Sequence, residues 1–242
     1  MTSYPILIIS LADATDRQQA ISEKLDALGL DYSFFTAIDG RNGLPSNYEP
    51  LIDRELADKR VRRLMTDGEF ACALSHRAIY QHVIDQNLPG AVILEDDAQI
   101  QPEFKTFVDE KGFLLAPMLL LDYSRVPVMR GSRKDAGRIG ATYRIASNPV
   151  LATGYSVSKQ AAADLLAGTT PVSCYADWPV DLYRIGARAV SPRPVHHVQP
   201  DAAQSSLQTD RESFDAHRRK KPLSRYMKAM YWRNRFAVRL DP

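Results

Sequence analysis

The chain has 242 residues, a mass of 27.1 kDa and a formal net charge of +2. Its 45% hydrophobic and 25% charged residues match an average folded protein, long enough to bury a core without disulfides or structural metal. That excludes a wholly disordered, collagen-like or multi-spanning membrane chain, and the longest apolar run, Phe113 to Leu121, is broken by Pro117 and too short to cross a bilayer.

Residues 5–11 (PILIISL) read as a buried strand. No basic segment or small-residue cleavage site accompanies it, so no secretory leader is expected and the chain stays where it is made. Thr15 and Gln18 have capping-box spacing for a helix with an Ile21, Leu25, Leu28 stripe, stopped by Gly29. Tyr32 to Ile38 is a second strand, ended by the turn signal Asp39-Gly40. Residues 41–65 read as charged loop. A second capping box, Thr66 to Glu69, opens a helix to about Gln86 with Phe70, Leu74, Val83 and Ile84 facing the core.

After Pro89-Gly90 comes AVILEDD, a buried strand that runs into three carboxylates, and Met118 to Leu121 is another short strand. Residues 124–149, rich in Arg, Gly and Ser and without periodicity, read as a mobile functional loop or lid. Val150 to Val157 reads as a strand, Ser158 as the cap of a short helix stopped by Gly168, and Ala187–Val190 as a further strand. Alternating strands and helices predict one α/β domain over residues 1–216 with a mostly parallel sheet. Cys72 and Cys174 lack metal spacing and read as free buried thiols in a reducing compartment.

Charge is uneven. Residues 217–242 hold nine Lys or Arg and one acid, a local +8 that leaves −6 on the rest. Lys221, Arg225, Lys228, Arg235 and Arg239 recur at helical intervals among Leu223, Met227, Met230, Trp232 and Phe236. A basic helical tail with interfacial aromatics suits an anionic membrane surface. Nucleic acid is disfavoured by the acidic body, and packing on the body or on a second subunit is the remaining reading.

The most informative feature is Glu95-Asp96-Asp97 at a strand end, because ligands of open α/β sheets bind beyond the carboxyl ends of strands. Adjacent carboxylates repel and gain from a cation such as Mg²⁺ or Mn²⁺ bridging to a phosphate. A solvated acidic turn is the bland alternative. A receiver domain, with Asp122 as its phosphoacceptor, is another, although two strands precede the acids here. No P-loop, dinucleotide, zincin or serine-hydrolase motif is present.

Several blocks, in order, resemble glycosyltransferase family 25, the lipooligosaccharide glycosyltransferases. They are Ile8-Ile9-Ser10-Leu11 with Asp16-Arg17, Ala37-Ile38-Asp39-Gly40, Thr66 to Glu69 with Ala73-Leu74-Ser75-His76, Val92 to Asp97, and Thr153-Gly154-Tyr155. The likeness runs over about residues 5–200. It departs at Ser10, where the family usually has Asn, and weakens after residue 98.

The resemblance implies a GT-A (Rossmann-like) fold, a UDP-sugar donor, often UDP-galactose, and inversion at the anomeric carbon. It implies Asp97 as the ligand of Mn²⁺ or Mg²⁺, with His197 (or His196) completing the shell. Ser10, Leu11, Arg17, Asp39, Ser75, His76, Glu95 and Asp96 become the donor-binding set. Asp177, beside Trp178 as a sugar-stacking ring, is the first choice of catalytic base and Asp181 the second, though Asp177 also reads as the cap of a helix near Pro179. The acceptor implied is a lipid-linked oligosaccharide on the inner face of a bacterial inner membrane, with the enzyme cytoplasmic and peripheral. A non-catalytic receiver-like or glycan-binding module is the alternative.

Overall fold

The computed structural model describes residues 3–197 and 229–241. β1 (Ile6–Ser10) is buried along its whole length, and its side chains alternate between two cores. Ile6 and Ile8 pack with Ile21 and Leu25 of α1 (Thr15–Ala27), whereas Leu7 and Ile9 face the opposite layer. β2 (Ser33–Thr36) lies parallel to β1 as an exposed sheet edge. The expected capping box at Thr15 and Gln18 does not form. Ala14 is the N-cap, and the Gln18 amide instead donates to Leu11 O (2.8 Å) and Ser10 Oγ (3.1 Å), tying the helix to the end of β1.

Residues 41–65, expected to be loop, contain a 3₁₀ turn at Ser46–Leu51 and α2 (Arg54–Val61), capped by Asp53. Only Ala57 and Val61 of α2 are buried, too few for a visible stripe. α3 (Asp67–Asp85) follows with the capping box as expected: Glu69 N–H donates to Thr66 Oγ1 (3.1 Å) and Thr66 N–H to Glu69 Oε2 (3.0 Å). Glu69 also takes a bidentate ion pair from buried Arg63, which locks the α2–α3 joint.

β3 (Gly90–Glu95) lies beside β1 and parallel to it. β4 (Gln99–Ile100) and α4 (Glu103–Asp109) lead to β5 (Met118–Leu120). The stretch expected to be a mobile loop holds β6 (Val126–Val128), β7 (Lys134–Asp135) and β8 (Ala141–Arg144). These strands are too short to show alternation, and pairing to distant segments makes them. β9 (Gly154–Ser158), α5 (Lys159–Gly168, capped by Ser158), β10 (Arg188–Ser191) and β11 (Val195–His196) follow.

The central sheet has the order β2-β1-β3-β9-β5-β10-β8-β7. β2, β1, β3, β5, β10 and β7 share one direction, while β9 and β8 are reversed. One core lies between this sheet and α3 and α5, the other between the sheet and α1 and α4. The fold is a mixed α/β layered structure, and the parallel ends of β1 and β3 bring Ser10 and Glu95 to the same rim.

The C-terminal segment contains α6 (Ala229–Phe236) and β12 (Val238–Leu240), which pairs antiparallel with β6. Arg239 therefore lies in a strand and does not extend a basic helical face. Arg233 binds Ala146 O and the Asp181 carboxylate and covers the Tyr183 ring, so this segment packs on the body. Lys221, Leu223, Arg225, Met227 and Lys228, and the expected boundary near residue 216, lie outside the described residues.

Asp39-Gly40 does more than turn the chain. A Cβ at Gly40 would lie 2.7 Å from both Asp67 O and Ala71 Cβ, where the strand exit presses on the first turn of α3. Gly40→Ala should destabilise the fold by about 1–3 kcal/mol, read as a lower urea midpoint with an unchanged slope.

Candidate active site

The backbone places the acid triplet. Asp96 N–H donates to Ile9 O (3.1 Å) and Glu95 N–H to Thr153 O (2.9 Å), so the end of β3 is tied to neighbours on both sides. Ser10 Oγ donates to Asp96 Oδ2 across a buried 2.7 Å bond, and Arg17 Nη1 lies 3.3 Å from Asp96 Oδ1. Both oxygens of Asp96 are thus engaged by β1 and α1. Burial pushes the Asp96 carboxyl up, with Ser10 and Arg17 pulling against it.

Asp97 is different. Its Oδ1 is buried and has no hydrogen-bond partner among the described residues. Burial, then the charges of Glu95 and Asp96, push its carboxyl up to about 7. An acid held beside other acids, with an orphaned oxygen, fits a bound cation. Oxygen donors of this kind suit Mg²⁺ or Mn²⁺.

On the α3 side, His76 is 1% exposed and spans from Tyr155 on β9 to Glu95. Its Nδ1 is 2.7 Å from Tyr155 Oη and its Nε2 is 3.2 Å from Glu95 Oε1. Tyr80 Oη continues the chain at 3.1 Å from Tyr155 Oη. Burial foremost holds the Tyr155 phenol well above its ordinary value, with Tyr80, Glu95 and Cys72 adding to it. Burial likewise raises Tyr80, helped by the charges of Cys72, Cys174 and Asp177. Cys72, one turn before His76, completes a group in which the Cys72, His76 and Glu95 ligand atoms all lie within 4.8 Å of one another.

The remaining predicted residues divide clearly. Ser75 is spent on structure: it accepts from Ile38 N–H (2.8 Å) and donates to Ala71 O (2.8 Å). Asp39 forms a fork with Arg41, whose hydrogen bonds hold its carboxyl low, and Arg41 also reaches Asp13. Arg17 and Arg41 line a shallow cavity of about 220 Å³ at the start of α1, with Asp13 and Asp16. Leu11 contributes its carbonyl to Gln18.

His197 lies with Nδ1 3.1 Å from Asp122 Oδ2, and Arg193 holds the other oxygen of Asp122 at 2.9 Å. Asp122 is 1% exposed, which rules out the phosphoacceptor of the receiver alternative. His196 sits in β11, and burial pulls its imidazole below the ordinary value.

Trp178 is 4% exposed and stacks edge-on against Tyr155 at 5.2 Å, so it offers no face to a sugar. Bends and turns, not a helix, follow it, so the helix expected near Pro179 for Asp177 to cap is not formed. Asp177 is half-buried, and its charge reaches Tyr80 and Cys174. Asp181 is bound by Arg233 and caps Tyr183 N–H (3.2 Å). Sequence reasoning missed Gln18, Cys72, Tyr80 and Tyr155 as parts of the site. Cys72 and His76 are four apart on one helix and Tyr155 lies in a quoted block, but only the fold joins them.

The sequence profile of glycosyltransferase family 25 (LPS biosynthesis protein) matches residues 3–183. The chain belongs to that family. A glycosyltransferase 25 family member from Aedes aegypti is 35% identical over 103 residues, which cover 41% of this chain and 17% of the relative. The lacto-N-neotetraose biosynthesis glycosyltransferase LgtE of Neisseria meningitidis serogroup B is 28% identical over 108 residues, 44% of this chain and 37% of LgtE. The lipooligosaccharide biosynthesis protein lic2B of Haemophilus influenzae is 30% identical over 107 residues, 44% of this chain and 38% of lic2B. In each case the shared stretch is a minor part of the relative. A solved glycosyltransferase involved in glycosylation of the major capsid of PBCV-1 overlays 87% of this chain and 98% of its own, at 13% identity and a TM-score of 0.41.

A carboxyl whose folded value is raised contributes stability at low pH that is lost as pH rises through that value, here about 7 for Asp97. In chelator-treated protein at pH 8, Asp97→Asn should therefore raise unfolding free energy by about 1–3 kcal/mol. At pH 4 the gain should vanish. Urea titrations at the two pH values read both.

Proposed function

We propose that this family 25 chain transfers a hexose, galactose from UDP-galactose first, to a sugar of a lipooligosaccharide or related surface glycan, inverting the anomeric centre on a GT-A-like frame. The observation that carries the reading is Asp97: a buried carboxylate oxygen with no partner among the described residues, at the carboxyl end of β3, beside the Ser10–Asp96–Arg17 closure of β1. Asp97 would hold Mn²⁺ or Mg²⁺, whose role is to neutralise the charge that builds on a departing diphosphate. His197 is the candidate second protein ligand. It directly follows β11, which pairs with β4 just after the triplet.

The chain's own groups do the rest. Arg17 and Arg41 are the cations of the β1–α1 cavity, beside Asp13 and Asp16, and would exchange their carboxylate partners for a pyrophosphate bound there. Ser10, Leu11 and Asp39 border the space for the nucleoside. Glu95 is oriented by His76, which Tyr155 and Tyr80 fix from behind. Inversion needs a carboxylate within hydrogen-bond reach of the acceptor hydroxyl, to take its proton as the oxygen attacks the anomeric carbon. Asp177 is the first candidate base, and Asp181, bound by Arg233 and accepting from Tyr183 N–H, the second.

Asp97→Ala should fold yet lose at least about a hundredfold in transfer, and Asp177→Asn should lower kcat to a similar degree with donor binding intact. UDP release from UDP-galactose with Mn²⁺, with and without acceptor, checks both. Full activity in Asp97→Ala refutes the site.

The acceptor reading includes an anionic membrane surface and a cytoplasmic, peripheral location. Among the described residues no helix is long and apolar enough to cross a membrane. Trp232 (51% exposed) and Phe236 (71% exposed) stack on the outer side of α6, with Val238 exposed just beyond, and Arg235 and Arg239 nearby supply charge. Replacing Trp232 and Phe236 together by Ala should weaken binding to phosphatidylglycerol vesicles about tenfold or more in a sedimentation assay, with core stability unchanged. Equal binding to neutral vesicles by the unaltered protein would argue against an anionic surface.

A further inference from the structure

We propose that Cys72, His76 and Glu95 form a second cation site, for zinc or a similarly thiophilic divalent ion, separate from the oxygen-donor position at Asp97. The three ligand atoms lie within 4.8 Å of one another. Tetrahedral zinc with Zn–S of about 2.3 Å and Zn–N and Zn–O of about 2.0–2.2 Å needs ligand atoms roughly 3.3–3.8 Å apart. His76 Nε2 and Glu95 Oε1 already stand 3.2 Å apart, and no pair in the trio exceeds the tetrahedral range by more than about 1 Å, within reach of side-chain adjustment at Glu95, which is 28% exposed on the last residue of β3.

The donor set decides the class of ion. A thiolate and an imidazole favour zinc over Mn²⁺ or Mg²⁺, which prefer oxygen alone. The scaffold is rigid where a metal site needs it. Cys72 and His76 stand four apart on the nineteen-residue α3, so they project from one helix face. His76 is oriented from behind by Tyr155, 2.7 Å from Nδ1, and Tyr155 by Tyr80. Without metal, Nε2 faces Glu95 Oε1 at hydrogen-bond distance; in the zinc-bound form Nδ1–H would donate to Tyr155 Oη, leaving the Nε2 lone pair for the metal with Tyr155 as the second partner such a histidine requires. Three protein ligands leave a fourth position for water. On binding, the Cys72 S–H bond breaks, its proton passes to solvent, and the sulfur lone pair forms the bond to zinc.

Glu95 links this site to the acid triplet. Zinc held there would take the Glu95 carboxylate from its place beside the acid triplet, so micromolar zinc should slow transfer, and this consequence alone rests on the donor-site reading of Glu95 given above.

The test is metal binding, measured apart from catalysis. Tag-free, chelator-treated full-length protein is titrated with Zn²⁺ against a chromophoric chelator, and with Co²⁺ while the thiolate-to-cobalt absorption is followed. The expected result is one equivalent of Zn²⁺ and a thiolate–cobalt band. Cys72→Ser should weaken zinc at least tenfold and abolish the band, Glu95→Gln should weaken zinc, and Asp97→Asn and His197→Ala should leave both readouts unchanged. The cobalt band of the unaltered protein tests the thiolate even if a variant unfolds. Absence of a bound equivalent, a missing band, full binding by folded Cys72→Ser, or loss of binding in Asp97→Asn or His197→Ala would overturn the proposal. Loss of transfer in Asp97→Ala with zinc binding intact would separate the two sites.

Discussion

Everything at the rim of the sheet follows from crowding three adjacent carboxylates at a partly buried strand end. Glu95, Asp96 and Asp97 leave β3 where Ile9 O and Thr153 O already claim the backbone N–H groups of Asp96 and Glu95, so the chain cannot relax by swinging away. Ser10 and Arg17 satisfy Asp96 and His76 engages Glu95, which leaves the strain on Asp97. A folded protein tolerates such a group when a ligand supplies the missing charge, and stability given up at a site of this kind is a common mark of function.

The second layer of the site is rigid because it belongs to the core. Tyr80 and Tyr155 are fully buried members of the same apolar cluster as Leu7, Ile9 and Ile93, and they use their hydroxyls on each other and on His76. A polar chain in such surroundings has one good arrangement, since any break leaves a buried donor or acceptor unpaired. α3 is the element that carries this precision. Its first turn is fixed by the Thr66–Glu69 capping box and by Arg63, and Gly40 lets the end of the β2 segment close on it without a clash.

The C-terminal segment shows how charge can mislead about structure. Its basic residues suggested one amphipathic face, yet β12 adds to β6 and Arg233 is drawn inward by Asp181, Ala146 O and the Tyr183 ring. Trp232 and Phe236 remain outside, so the apolar part of that face persists while Arg239 leaves the helix for β12. The same contacts take Asp181 out of contention as a free base, and the burial of Trp178 removes the aromatic platform expected beside Asp177.

Local signals were enough for β1, α3, β3 and α5, because continuous apolar runs, a capping box and a Ser cap act over a few residues and need no partner elsewhere. They also sufficed to single out Glu95-Asp96-Asp97 and the family it belongs to. β6 to β8 were invisible, being too short for periodicity and stabilised by pairing with β10 and β12, far away along the chain. The Cys72–His76–Glu95 grouping, the Tyr80–Tyr155 relay and the capture of Asp122 by Arg193 and His197 were likewise decided by the tertiary structure. A linear string specifies which donors and acceptors exist, but distance and exclusion of water determine which of them meet.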